Sequence, residues 1–357
     1  MKKPTPKATK TVYPIICQTV NAIPAQFIAE AAKAHGVLSR AFSPKSHVAA
    51  MPCCQVSKTE SLNSICDVAR ANETLWTSMG VSVPRRNTLS NANAVRPSAM
   101  AKDLYWKTYG HLSGIAPKFG KGPHRGYCFR IKAPMFAVDS STVRLTTDSF
   151  NWARHRREKA AAKLHLTFDL GNRLPSFAIV EDAAHHDSVR AAELTAHLRA
   201  GDIAVADRAY ADFGFMDGLD ACGVRFVTRQ KRNMRMRVAE IYRDRWGIET
   251  FFKELKQTCQ IHDFIGYSEN AVQWQVWTGL LAHLLFRHLA YLSKWGLSFS
   301  RLAALVRGVL WNRRRLVETL RLYGTAGPVK SPSVKPKRLV FQLVFDFTPA
   351  EMGQQTC

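Results

Sequence analysis

Acidic residues are scarce in this sequence relative to basic ones. Its 357 residues include 27 Asp and Glu against 51 Lys and Arg, which gives a formal net charge of +24 at pH 7. An excess of this size predicts strong, salt-sensitive attraction to a polyanion, and nucleic acid is the first candidate. Ribosomal and chromatin proteins share such a charge, but the eight Trp and the 46% hydrophobic content indicate a substantial folded core instead.

Long apolar runs are also missing. The most apolar stretch, residues 271–292, is interrupted by two glutamines, two histidines and an arginine, so it cannot cross a bilayer unaided. The N-terminal sequence MKKPTPKATK is basic but lacks the apolar region of a secretory signal, and we expect it to be a disordered arm. These absences predict a cytoplasmic protein with no membrane partner.

Cysteine occupies eight positions, with no CxxC pair and no histidine partners at zinc-site spacing. Cys53 and Cys54 are adjacent, which is an awkward geometry for one disulfide or one metal ion. These spacings disfavour a zinc module and a disulfide scaffold. We therefore expect thiols in a reducing compartment.

Composition and periodicity divide the chain into three parts. Residues 1–130 have mostly helical spacing and a basic balance, which predicts an N-terminal DNA-binding region. Within it, RRNTLSNANAVRP (85–97) suits a helix-turn-helix-like reader that carries Arg85, Arg86 and Arg96 beside small polar residues, with Arg85 and Arg86 as DNA contacts. A solvated, capped joint between helices is the alternative. Residues 269–357 predict a helical, basic C-terminal region with a flexible tail.

Residues 131–268 have the apolar runs and the alternation that are typical of strands. Strands are predicted at 135–145, 163–170, 175–183, 202–210 and 224–229, and helices at 188–200, up to 219 and from 239. Three strands in a meander are thus followed by parallel crossovers. This order predicts an α/β fold with an RNase H-like core, a mixed five-stranded sheet with helices.

Three acids occupy special places in this layout. Asp139 lies within the first strand, Asp207 ends the fourth, and Glu249 lies on the last helix. Because the first and fourth strands are neighbours in such a sheet and the last helix packs across them, we expect the carboxylates to cluster. Clustered carboxylates repel one another unless cations neutralise them, so Mg²⁺ or Mn²⁺ is the natural occupant. Two such ions can support phosphodiester displacement.

Each acid has a plainer interpretation when it is taken singly. Asp139 could hydrogen-bond within a turn, Asp207 could form a surface pair or a helix cap, and Glu249 could be a charge on a helix face. Their joint placement favours the cluster.

The run IYRDRWGIETFFKELKQ (241–257) carries the most informative pattern. On a helix that turns about 100° per residue, Tyr242, Arg245, Glu249 and Lys256 fall within a stripe roughly 60° wide. An apolar stripe lies beside it. The helix can therefore pack on a core while its edge presents a carboxylate among cationic groups.

The spacing Tyr-x2-Arg-x3-Glu-x6-Lys resembles the YREK signature of DDE insertion-sequence transposases, the insertion sequence four family. AVDSSTVRL and AVADRAYADF are similar to the family's motifs around its first and second Asp. The resemblance implies that residues 131–268 form a DDE catalytic core in which Asp139, Asp207 and Glu249 are the metal-binding triad. Mg²⁺ is the implied cofactor, with Mn²⁺ as a substitute and two ions expected.

The same resemblance implies the reaction and the partners. Double-stranded DNA would be hydrolysed at terminal inverted repeats, and the freed 3′-hydroxyl would then attack target DNA. A homodimer on paired ends is expected, as is association with the bacterial nucleoid when the protein is bound to DNA. Tyr242, Arg245 and Lys256 would contact the phosphate backbone near the cut, Arg by a bidentate bond and Lys as a point charge.

A basic run lies between the first two strands and comprises Arg154, Arg156, Arg157, Lys159 and Lys163. We interpret it as a DNA-contacting hairpin, and a solvated connection is the alternative.

The chain departs from the family pattern at one place. Members usually carry a β-rich insertion before the Glu helix, but here only forty-one residues, 208–248, separate Asp207 from Glu249. The insertion is thought to shape the transposon-end complex and to help hairpin processing. Its loss implies an alternative function: an internally deleted, catalytically inactive relic that binds DNA or interferes with an intact transposase.

Overall fold

The computed structural model describes residues 14–39, 41–120, 133–145, 154–155, 159–183, 186–210, 212–228, 245–261 and 264–324. The N-terminal helices are α1 (Ile15–Asn21), α2 (Ala25–Ala34), α3 (Pro44–Ser57), α4 (Leu62–Ala71), α5 (Glu73–Ser78), α6 (Arg86–Val95) and α7 (Ala99–Ile115). The central part contains β1 (Met135–Arg144), β2 (Arg154–His155), β3 (Lys159–Asp169), β4 (Leu174–Asp182), α8 (Ala191–Thr195), β5 (Ile203–Ala206), α9 (Phe213–Ala221), β6 (Arg225–Thr228) and α10 (Trp246–Thr258). The last helices are α11 (Glu269–Ser293), α12 (Phe299–Gly308) and α13 (Leu316–Gly324).

Five strands form a mixed sheet in the order β4-β3-β1-β5-β6. β1, β3 and β4 pair antiparallel, whereas β5 is parallel to β1 and β6 is parallel to β5. The two-residue strand β2 pairs with the start of β3 in a hairpin. This meander followed by parallel crossovers is the RNase H-like arrangement, so the predicted fold class is confirmed.

Both faces of the sheet are covered, which explains why its central strands are apolar almost throughout. Successive side chains of a strand point to opposite faces. Accordingly, Ala137 and Val205 belong to the main core, whereas the adjacent Val138 and Ala206 pack with α8 and Tyr210 on the other face.

The long helix α11 joins the sheet region to the N-terminal helices. It begins after Ser268, whose side chain accepts a hydrogen bond from the backbone N–H of Ala271, and it ends at Lys294 in the left-handed conformation. α11 packs against α3 and α7, and it also contacts α10 and β4. One apolar cluster therefore runs from Ile15 to Leu320. The division of the chain near residues 131 and 269 remains a prediction.

Two composition-based expectations can be compared with the described ranges. No helix there is long and apolar enough to span a membrane. The cysteines in these ranges are free thiols, buried at positions 17, 53, 54, 66 and 259 and exposed at position 222.

Candidate functional site

The parallel pairing of β1 with β5 brings two acids to the same edge of the sheet. Val138 is paired with Ala206, and each is followed directly by an aspartate, Asp139 on β1 and Asp207 after β5. Both aspartates line an open cleft of about 500 Å³. The sheet topology thus brings together two carboxylates that are 68 residues apart in the chain, from 139 to 207.

Glu249 reaches the same cleft from the first turn of α10. α10 is amphipathic: Ile248, Phe251, Phe252 and Leu255 are buried, and the helix packs on β1. Glu249 lies on the edge of that apolar face and its side chain remains 42% exposed. The cleft lining is completed by Ser140, Ser141, Arg245, Phe252, Lys253, Lys256 and Gln257.

Arg245 forms a bridge between two of the three acids. Its Nη1 donates to Asp139 Oδ2 at 2.7 Å and its Nη2 donates to Glu249 Oε1 at 2.8 Å. The Arg245 side chain is only 9% exposed and that of Asp139 19%, so the contact between these two is largely shielded from water. The pKa of Asp139 is nevertheless raised, because burial penalises its charge by more than Arg245 and the Ser140 N–H stabilise it.

Lys256 fixes the other end of α10 to the sheet. Its Nζ donates to the backbone carbonyl of Thr142 on β1 at 2.8 Å. The ammonium therefore lines the cleft while it bonds the strand that carries Asp139. Tyr242, the remaining member of the predicted stripe, lies outside the described residues.

The donor set suits a hard divalent cation, because it consists of carboxylate oxygens. Within the described ranges, no three His, Cys, Asp or Glu side chains converge at metal-binding distance. The guanidinium of Arg245 supplies the positive charge that neutralises Asp139 and Glu249. Asp139, Asp207 and Glu249 are the acids of the cleft that could hold a metal.

The other predicted DNA contacts lie elsewhere. Arg85 and Arg86 are exposed at the start of α6 and border a groove of about 860 Å³ between α4, α5 and α6. Arg96, at the far end of that helix, is buried and donates hydrogen bonds to the carbonyls of Phe42 and Ser43. Arg96 therefore supports the fold rather than presenting a charge to solvent.

The predicted basic hairpin exists in the backbone. Arg154 pairs with Ala160 and His155 with Lys159 across its strands. Arg156 and Arg157 lie outside the described residues, and only the backbone of Arg154 and Lys159 is described. Lys163, the last member of the run, is mostly buried and its Nζ lies 2.9 Å from Asp187 Oδ1.

Asp187 is the site residue that sequence reasoning missed. Its position before a predicted helix suggests a cap, but the structure places its carboxylate 2.6 Å from the hydroxyl of Ser140, directly after Asp139. The sequence signal is weak: an acid between two histidines and a serine, in a turn. Only the tertiary contact distinguishes it.

Comparisons with known proteins identify similar chains. The family model described as "Transposase DDE domain" matches residues 131–238 and 236–285. The "Putative transposase y4zB" of Sinorhizobium fredii is 22% identical over 324 residues, covering 73% of this chain and 87% of that protein. The "Probable transposase for insertion sequence element IS5377" of Geobacillus stearothermophilus is 23% identical over 220 residues, covering 45% of this chain and 58% of that protein. A solved structure of the piggyBac transposase synaptic complex with hairpin DNA is 10% identical, with a TM-score of 0.44 over 92% of this chain and 85% of that one.

Proposed function

Because residues 131–285 match the family model described as "Transposase DDE domain" and the chain is similar to proteins named as transposases, we propose that the protein cuts DNA at insertion-sequence ends and joins it to target DNA. The observation that carries the proposal is the open cleft that Asp139, Asp207 and Glu249 all line. Sheet register and helix packing, rather than a flexible loop, determine where these acids lie.

Asp139, Asp207 and Glu249 are the residues that would hold divalent metal. Two Mg²⁺ ions bound there, or Mn²⁺ in their place, would activate the attacking oxygen and stabilise the leaving oxygen of a phosphodiester. The chain's own contribution is placement and neutralisation: Lys256 fixes α10 to β1, and Arg245 neutralises Asp139 and Glu249 until a metal ion would displace it.

The DNA-binding part of the proposal rests on charge and on position along the fold. Arg245 and Lys256 line the cleft and present groups that bind phosphate, and Tyr242 precedes them in the chain. Arg85 and Arg86 of the N-terminal helical region would supply a second group of cations, and the basic run Arg154, Arg156, Arg157 and Lys159 of the predicted hairpin would supply a third. Duplex DNA at the terminal inverted repeats would contact all three, and a homodimer would bring two ends together.

A nicking assay tests this function directly. The purified chain is incubated with labelled DNA carrying the element's terminal repeats, with Mg²⁺, with Mn²⁺ and with a chelator, beside Asp139→Asn. We expect metal-dependent nicks at the element boundary, and Asp139→Asn should bind the same DNA without nicking it. Glu193→Gln, which alters an exposed acid on α8, serves as the matched control and should nick like the wild type. Equal nicking by Asp139→Asn would contradict the proposed site.

A relic without catalytic activity is the second candidate, and chain length favours it. Only seventeen residues, 229–245, lie between β6 and α10, which is too few for the β-rich insertion that the family resemblance implies. The same assay separates the two candidates. Specific binding of the terminal repeats without nicking in any metal would identify a DNA-binding copy, and inhibition of an intact relative in a mixed reaction would identify an interfering one.

A further inference from the structure

A continuous chain of polar contacts runs from Asp139 through Ser140 and Asp187 to Lys163. The backbone N–H of Ser140 donates to Asp139 Oδ1 at 2.9 Å, and the Ser140 hydroxyl donates to Asp187 Oδ1 at 2.6 Å. Lys163 Nζ lies 2.9 Å from the same Asp187 oxygen. We propose that Lys163 and Asp187 are positioning residues which, through Ser140, hold the carboxylate of Asp139 in its working place. This inference rests on the proposed function.

Strand β1 needs such support at Asp139 and Ser140. β1 is paired with β5 only as far as Val138 in the described ladder, whereas its pairing with β3 continues to Arg144. Asp139 and Ser140 therefore lie where one of the two neighbouring strands has ended. Successive side chains of a strand point to opposite faces, so Ser140 can be held from the face opposite Asp139. Asp187 anchors it there.

Asp187 belongs to a segment that borders both aspartates of the cleft. It begins the short 3₁₀ turn Asp187–Arg190, which packs against the turn Arg208–Tyr210 that follows Asp207. Tyr210 is buried beside Val138 and Ala206, the last paired residues before the two acids. A shift of Asp187 would thus affect the spacing between Asp139 and Asp207.

Lys163 neutralises Asp187, which would otherwise add a fourth negative charge beside the site. The side chains of Lys163 and Asp187 are 12% and 28% exposed, so each has lost much of its hydration. Burial would raise the pKa of Asp187, but hydrogen bonds from Ser140 and Lys163 and the charge of Lys163 lower it overall. An ionised Asp187 accepts a stronger hydrogen bond from Ser140, and the ammonium offsets the repulsion of Asp139.

Calorimetric titration of the full-length chain with Mn²⁺ tests the inference without relying on catalysis. The variants are Asp187→Ala, Ser140→Ala, the double variant and Asp187→Asn, with Glu193→Ala on the following helix α8 as the control. Loss of a group that orients a metal ligand typically weakens metal affinity by about 10- to 100-fold. We expect a loss of at least about tenfold in Asp187→Ala, none in Glu193→Ala, and partial recovery in Asp187→Asn, whose Oδ1 still accepts from Ser140.

The double variant separates a positioning role from a merely structural one. If Asp187 acts through Ser140, the double variant should bind Mn²⁺ no more weakly than the worse single variant. Additive losses, or a lowered melting temperature with unchanged Mn²⁺ affinity, would overturn the inference. Mn²⁺ binding that Asp139→Asn does not weaken would overturn it as well. Failure of the proposed function has a different signature: the wild type would bind Mn²⁺ and terminal-repeat DNA without nicking.

Discussion

Arg245 and Asp139 are separated by 106 residues in the chain, yet Nη1 of the one lies 2.7 Å from Oδ2 of the other. The same guanidinium donates to Glu249. Two acids of the cleft therefore share one internal cation, and the free protein does not have to hold two unneutralised carboxylates side by side. A divalent ion that binds Asp139 and Glu249 would have to displace this arginine, which would then be released toward a phosphate.

Replacing Arg245 should consequently have opposite effects on metal and on DNA. Arg245→Ala leaves two buried or half-buried carboxylates unneutralised, and removal of one partner of such a pair costs about 3 kcal/mol of unfolding free energy. Saturating Mg²⁺ should restore part of that loss, and Mn²⁺ affinity should rise because the competing cation is gone. Affinity for terminal-repeat DNA should fall. Thermal unfolding in chelator and in Mg²⁺ measures the stability loss and its recovery, Mn²⁺ calorimetry measures the metal affinity, and filter binding measures the DNA affinity.

The control for that experiment is Arg315→Ala, which removes an exposed arginine from a pair with Glu318. Pairs of that kind contribute about 0–1 kcal/mol, so neither stability nor metal affinity should change noticeably. If Mg²⁺ stabilises the wild type and Arg245→Ala equally, Arg245 does not compete with metal.

The exposed arginines at the start of α6 should contribute to DNA affinity through charge alone. Each phosphate contact adds about 0.9 to the slope of log affinity against log salt concentration on duplex DNA. Arg85→Ala combined with Arg86→Ala should therefore reduce the slope by about two and weaken specific and random DNA similarly. Arg225→Ala, an exposed arginine on β6, is the matched single-charge control. An unchanged slope in the double variant would remove α6 from the DNA interface.

Lys256 tests whether the far end of α10 reaches DNA. Lys256→Met keeps the aliphatic stem but loses the hydrogen bond to the Thr142 carbonyl, which should cost roughly 1 kcal/mol of unfolding free energy. If the ammonium also contacts phosphate in the complex, the salt slope should fall by about one. Urea unfolding and filter binding at several salt concentrations separate the two effects. Lost stability with an unaltered slope would assign Lys256 to the strand contact alone, and Lys33→Met, at an exposed position of α2, should change neither quantity.

The sequence predicts the sheet and the cleft acids because both depend on local patterns. Alternation identifies the strands, and an acid directly after a buried run predicts a carboxylate at a strand end, as at Asp207. The helical spacing of Arg245 and Glu249 also predicts their contact, since residues four apart are neighbours on a helix. These features need no knowledge of tertiary packing.

The features that the sequence could not predict depend on contacts between distant segments of the chain. Arg245 has the same spacing whether its guanidinium faces DNA or Asp139, and only the packing of α10 on β1 decides. Lys163 continues a basic run in sequence but contacts Asp187 in the fold. The single helix predicted at 188–200 is instead a 3₁₀ turn that begins after His186, followed by the five-residue helix α8. Arg96 looks like its neighbours Arg85 and Arg86 in sequence but is buried against α3.

His47 should make the fold sensitive to acid. It is fully buried on α3, its Nε2 donates to Asn93 Oδ1 at 2.7 Å, and no group among the described residues pairs with its Nδ1. Burial lowers its pKa from 6.5 to about 3. Between those values the unfolded chain binds a proton that the folded chain excludes, so stability is complete above pH 6.5 and falls as the pH is lowered.

The expected loss is about 1.4 kcal/mol per pH unit below 6.5 from this group. His47→Gln retains a donor for Asn93 but cannot be protonated, so its stability should fall less steeply, whatever its stability at neutral pH. Urea unfolding at several values between pH 7 and pH 5 gives both slopes, and other buried histidines contribute equally to the two proteins. His186→Gln, at an exposed position, should follow the wild type. Parallel curves for wild type and His47→Gln would show that His47 is protonated in the folded state or titrates there as it does in the unfolded chain.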